Sequence, residues 1–152
     1  MRRRQVIALI AIAVVLFVAI SGLLARVFSA EGSERNAITD LVKAEARGDQ
    51  GYVIAQIEGC RAEPSCRARI AADVAALEHS GAGSILTLQP STSFSLTGSL
   101  GTARVAWDVG DSLPITQCVR VRRVGNALSG LHVQLLAVTP RLQADATCPA
   151  QF

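Results

Sequence analysis

Four cysteines, Cys60, Cys66, Cys118 and Cys148, are the residues of this 152-residue chain best suited to chemistry, and they admit either disulfides or a metal. Four cysteines allow three pairings. The favoured set joins Cys60 to Cys66, closing the short loop Cys-Arg-Ala-Glu-Pro-Ser-Cys, and Cys118 to Cys148, tying an expected strand to the tail 145–152. A zinc site needs paired ligands at short spacing with a second pair nearby. One Cys-x5-Cys pair with the two histidines at His79 and His132 does not supply that, so neither metal nor cofactor is expected. Acid–base catalysis needs convergent groups whose surroundings separate their pKa values. The candidates are Tyr52, Asp108, Asp111 and His132, and they are scarce. Asp108 shares a polar strand face with Thr102 and Arg104, and Asp111 sits in a turn, so the chain is not expected to be an enzyme. Histidine is the residue type of pH sensors, but His132 reads as a solvated strand residue, and His79 closes a helix, where a cation suits the C-terminal dipole. Arg120, Arg122 and the neighbouring Arg123, with His132, form a candidate partner surface for acidic proteins or anionic headgroups. The competing account of these arginines is protection of a strand against aggregation.

Those residues are positioned by a chain that begins with a membrane signal. Val6 to Ala25 is almost wholly apolar and follows Arg2, Arg3 and Arg4 directly. Twenty helical residues cover about 30 Å, the thickness of a bilayer's hydrocarbon core. The arginines favour a cytoplasmic N-terminus, which puts everything after Arg26 outside. The alternative, a cleaved secretory signal, has a shorter apolar region and small residues before its cut. Phe28-Ser29-Ala30 puts an aromatic where a small residue belongs, so an uncleaved anchor is expected. The cysteines then all lie on the side where disulfides persist. The division expected is a cytoplasmic 1–4, a span 5–25, a polar tether 26–35 and one domain 36–152.

Net charge is +3, but four of the arginines flank the span, and beyond Arg26 the cations and anions almost cancel. A nucleic-acid-binding domain carries a basic stripe, and none is evident here beyond the short arginine cluster. The expected partners are therefore the membrane and an envelope protein, not nucleic acid.

Ile38, Leu41 and Val42 recur at helical spacing until Gly48 stops the helix. Asp49 suits the N-cap of a short second helix carrying Tyr52, Val53 and Ile57, ended by Gly59. Pro64 opens a third, with Ile70, Val74 and Leu77 on one side. After Ser80-Gly81-Ala82-Gly83 the period changes to two. A first strand starts at Ile85, bends at Pro90 and continues through Phe94 and Leu96. Ala103, Val105, Trp107 and Val109 line the apolar side of a second, with Trp107 expected in the core. Leu113 to Val124 forms a third, with Val119 and Val121 facing away from Cys118, Arg120 and Arg122. Leu131, Val133, Leu135 and Ala137 follow on a fourth, with His132 and Gln134 opposite. Short Gly-rich turns between strands favour a meander.

The fold class expected is α+β: an N-terminal transmembrane helix, then three helices packed on a curved four-stranded antiparallel meander sheet. This order resembles the nuclear transport factor 2-like superfamily, whose cone-shaped domains place three helices before a bent antiparallel sheet. It looks more specifically like small membrane-anchored or lipoprotein domains of high-GC bacteria. Ala46-Arg47-Gly48-Asp49 and the Cys60 to Cys66 loop match their helix, Gly-Asp step, short helix and cysteine-bounded loop, over residues 36–138. Enzymes on that fold hold an aspartate or histidine opposite a tyrosine inside the cone. The expected role is an extracytoplasmic accessory or interaction domain, the alternative a small-molecule-binding or isomerase-like enzyme using the cone.

Overall fold

A computed structural model describes residues 2–77, 83–91, 99–109, 113–126, 130–143 and 145–152. His79, Phe94, Leu96 and Asp111 lie outside these. The described chain is α+β, with helices α1 (Arg2–Ala46), α2 (Gln50–Gln56) and α3 (Pro64–Leu77) followed by strands β1 (Ser84–Gln89), β2 (Leu100–Asp108), β3 (Ile115–Asn126) and β4 (Gly130–Val138).

The apolar span and the first domain helix are one helix. Segment 26–35, expected as a tether, continues α1 without a break. Gly32 costs a helix only about 1 kcal/mol relative to alanine. The residues around it favour the helix, and Arg35 grips Glu31 one turn earlier at 2.9 Å. Within α1, residues 5–22 are long and apolar enough to cross a bilayer, and none of them is buried by the protein. The helix ends where Gly48 takes φ 71°, a left-handed conformation that glycine adopts without steric cost. The Asp49 carboxylate then accepts the Tyr52 amide at 3.0 Å and caps α2.

The sheet runs β1-β2-β3-β4, every neighbour antiparallel. β3 begins only after Pro114, which has no amide hydrogen to give a ladder. Ala103, Val105 and Trp107 of β2 pair with Val119, Gln117 and Ile115 of β3 on one face. With Leu135 and Val138 of β4, all of these but Gln117 join Ile38, Leu41, Val42, Val53, Ile70 and Val74 of the helices in one buried cluster. The chain leaving α2 also runs along the β4 edge, where the Glu58 amide donates to the Leu135 carbonyl at 2.8 Å. Gly83, just before β1, lies close to both helix and sheet. A Cβ there would lie 2.9 Å from Ala46 Cβ and 3.5 Å from the Trp107 ring.

The cysteines form two disulfides, Cys60–Cys66 between α2 and α3, and Cys118–Cys148 from β3 to the tail. Their sequence separations are 6 and 30 residues. The loop-entropy relation therefore gives the long bridge about 1.4 kcal/mol more stabilisation than the short one. The double replacement Cys118→Ser with Cys148→Ser is expected to lower the Tm further than Cys60→Ser with Cys66→Ser. Equal losses in a thermal melt would show that the tail is held without its bridge.

Candidate functional site

Alternation along β2 and β3 leaves Leu100, Thr102, Arg104 and Ala106 opposite Arg122, Arg120, Cys118 and Thr116 on the sheet face turned away from the helices. The tail covers part of this face. The Leu142 amide donates to the Thr116 carbonyl at 2.7 Å beside β3 in the plane of the sheet, and from there the chain crosses the face to Cys148, bonded to Cys118. Further along, the tail turns back as the wall of an open groove of about 830 Å³, lined by Leu100, Thr102, Arg120, Arg122, Leu136 and Phe152 among others. The Arg120 guanidinium donates to the Ala150 carbonyl and sits 5.2 Å from the centre of the Phe152 ring. Arg122 donates to the Glu58 carboxylate at 3.2 Å, both side chains 43% exposed.

The residues singled out in the sequence are thus divided. Arg120 and Arg122 share the groove. Arg123, grouped with them by sequence proximity, faces the helix layer instead, because successive strand residues alternate between faces. Its charge acts there on Glu34. His132 pairs with Val124, one step beyond the Arg122–Gln134 pair, and is exposed outside the groove lining. Among the described residues, the acid–base candidates Asp108 and His132 do not converge. Asp108 lies at the end of β2, just past the Trp107–Ile115 pair, while His132 sits opposite Val124. Ile115 and Val124 are separated by about 30 Å of extended strand. Tyr52 packs against the core from α2.

Two buried acids, Glu34 and Glu45, and a half-buried one, Asp73, escaped the sequence reading. Glu34 is 1% exposed; its Oε1 accepts the Ser91 amide at 2.7 Å. Burial pushes its carboxyl above the usual range, against the pull of that hydrogen bond and of Arg123. Glu45, fully buried one residue before the end of α1, has no hydrogen bond to either carboxyl oxygen. Burial raises it to about 7, the nearby Gln117 amide draws it down, and Asp73 of α3 pushes it up. Gln117 is already committed: its Oε1 accepts Trp107 Nε1 at 2.7 Å and its Nε2 donates to the Thr139 carbonyl at 3.2 Å. Asp73 is itself raised by burial, with Arg69 opposing, and its Oδ2 is buried without a partner. The signal for the α1 acids was present: Glu34, Ile38, Leu41 and Glu45 fall at i, i+4, i+7 and i+11, one helical face.

Comparison with known protein families, with curated proteins and with solved structures gave no match. An N-terminal apolar helix and two disulfides fit a membrane-anchored domain in an oxidising environment.

Proposed function

We propose that the protein is a single-pass membrane protein with its N-terminus in the cytoplasm and an extracytoplasmic, non-enzymatic domain that serves as an accessory or interaction module. Its element order is that of the nuclear transport factor 2-like domains the sequence resembles, and membership in that superfamily is part of the proposal. The observation carrying the interaction reading is the groove on the outer sheet face, with Arg120 and Arg122 beside Leu100, Leu136 and Phe152. Charged side chains next to exposed apolar ones, on a rigid sheet, are the composition of a contact surface. Orientation is supported by Arg2 to Arg4 ahead of the span, and compartment by the disulfides.

The enzyme alternative would draw on Glu45 and Asp73, the paired acids between α1, α3 and the sheet. A general acid must reach its substrate. Glu45, fully buried behind Trp107 and Gln117, offers no such access. The test has two parts. A reporter active only outside the cytoplasm, fused after Phe152, is expected to work, and one active only in the cytoplasm is expected to fail. A photo-crosslinking residue in place of Leu100 is expected to trap an envelope protein in intact cells, whereas the same residue at exposed Gln56 of α2 traps none. Failure of the Leu100 position to trap any protein would overturn the interaction reading.

A further inference from the structure

Two ties set the height of the sheet on the membrane helix. Glu34 of α1 accepts the Ser91 amide, just beyond the end of β1, and the charge of Arg123 on β3 acts on the same carboxylate. Further along α1, Ala46 lies against Gly83, just before β1 begins. Between these ties α1 climbs about 18 Å and the extended residues 83–91 span about 26 Å, so each strand residue advances about 2.3 Å along the helix axis. β1 therefore descends towards the bilayer, β2 climbs, β3 descends and β4 climbs again. The β3–β4 end of the sheet points at the membrane.

β3 goes furthest in that direction. Its pairing with β2 ends at Arg122–Leu100, backed by the Arg123 amide, which donates to the Ser99 carbonyl at 2.7 Å. Beyond that point β3 and β4 continue as a two-stranded ribbon through Val124–His132 to Asn126–Gly130. From Arg123 to Asn126 the ribbon falls about 7 Å, whereas α1 falls about 12 Å from Glu34 to Arg26, the first charge after the apolar run. The end of the ribbon stands about 5 Å above Arg26, inside a headgroup layer about 5 to 7 Å deep. Arg122 and Leu100, about 14 Å above Arg26, clear that layer and stay open to a protein partner.

The composition of that end suits a lipid surface. Val124 to Leu131 contains no charged residue, and no Asp or Glu occurs between Arg123 and Asp145. Pairing continues to Asn126–Gly130, so the ribbon carries its backbone hydrogen bonds with it, as a segment leaving water must. Arg122 and Arg123 stand at its base, within reach of the negative potential over anionic headgroups, and need not leave the contacts they already make. The chain leaving β2 at the opposite end carries acids instead, Asp108 and Asp111. A two-stranded ribbon is only marginally stable in water by itself, and a surface beneath it supplies support. Resting on the reading of residues 5–25 as an uncleaved span, we propose that the β3–β4 ribbon seats the domain on the headgroup layer of its own membrane. Helix and ribbon are then two points of support that hold the Arg120 groove above the lipid.

The test places the full chain in vesicles of phosphatidylcholine with a minority of phosphatidylglycerol, some of the phosphatidylcholine carrying a nitroxide on its headgroup. A fluorescent amino acid replaces Asn126 in one protein and, in another, Asp108, which pairs with Ser84 at the far end of the sheet. Quenching is expected to be at least threefold stronger at Asn126 than at Asp108. Inserting the polar helical heptad Glu-Ala-Ala-Ala-Lys-Ala-Gln between Gly32 and Ser33 lifts the domain by about 10 Å over two turns and nearly keeps its facing. It is expected to cut quenching at Asn126 at least threefold, with both disulfides intact by non-reducing peptide mapping. Equal quenching at the two positions, or undiminished quenching at Asn126 in the correctly bridged insertion variant, would overturn the seat. Carbonate extraction and mass spectrometry of the N-terminus test the span separately. A chain released by carbonate, or beginning beyond residue 25, would overturn the span and the seat with it. An anchored chain whose Asn126 probe is unquenched keeps the span and loses the seat.

Discussion

Replacing Glu45 by glutamine is expected to stabilise the protein by about 3 kcal/mol at pH 8 and to leave its stability nearly unchanged at pH 4. The Glu45 carboxyl is fully buried, carries no hydrogen bond and faces a second acid, Asp73, so it holds its proton up to about 7 against an ordinary value of 4.5. The sign follows from proton counting. Between pH 4.5 and 7 the unfolded chain has released this proton and the folded chain has kept it. The folded state binds more protons there, and stability falls with rising pH by about 1.4 kcal/mol per unit. Below that window the folded protein has the full benefit of a neutral Glu45; above it the charge is buried and the benefit is gone. Glu34 and Asp73 are raised in the same direction and steepen the same decline. Urea titrations of the full chain in detergent at pH 4, 6 and 8 would measure it. Wild-type and Glu45→Gln proteins of parallel pH dependence would show that Glu45 ionises in the folded state as readily as in the unfolded one.

The sequence reading missed Glu45 for a physical reason that also explains where it succeeded. Burial in strands follows a period of two, and Ala103, Val105, Trp107, Val119 and Val121 declared their face by being apolar. The four-stranded meander, the α2 cap at Asp49 and the stop at Gly48 were legible because each depends on local chemistry. Glu34 and Glu45 lie on the buried helical stripe of α1, but charged residues there contradict the usual preference and read as solvated. Only the placement of Ser91, Gln117 and Asp73 shows what surrounds them, and those are contacts distant in sequence.

The groove was half legible. Arg120 and Arg122 were identified as a pair by alternation, and the same alternation sends Arg123 to the other face, where proximity in sequence had placed all three together. The other wall of the groove, Ala150 to Phe152, has no periodic pattern of its own. It is brought there by the bridge from Cys148 and by the carbonyl held by Arg120. The continuity of α1 was hidden by Gly32 and Ser33, which read as a tether although the Glu31–Arg35 pair spans them. That continuity matters most for function, since it joins the candidate span to the domain without a flexible break.

Trp107→Ala is expected to cost about 3 to 5 kcal/mol, the range for truncating a large buried aromatic. The indole is fully buried in the helix–sheet cluster, and its Nε1 donates to Gln117 Oε1 at 2.7 Å. Trp107→Phe separates the two contributions. It keeps most of the apolar contact but leaves the buried Gln117 oxygen without its donor, at about 1 to 3 kcal/mol. A Trp107→Ala variant within 1 kcal/mol of wild type in urea denaturation would mean that the ring does not hold the helices to the sheet. The phenylalanine variant has a second consequence. Gln117 is pinned by Trp107 on one side and Thr139 on the other, which fixes the amide beside Glu45. Freed from Trp107, that amide can turn and donate to the Glu45 carboxylate, easing its ionisation. Trp107→Phe is therefore expected to lose stability while becoming less sensitive to pH between 4.5 and 7. In a double-mutant cycle, Glu45→Gln should then stabilise the Trp107→Phe protein at pH 8 by less than it stabilises wild type. Equal gains in the two backgrounds would show that Gln117 does not couple the ring to the acid.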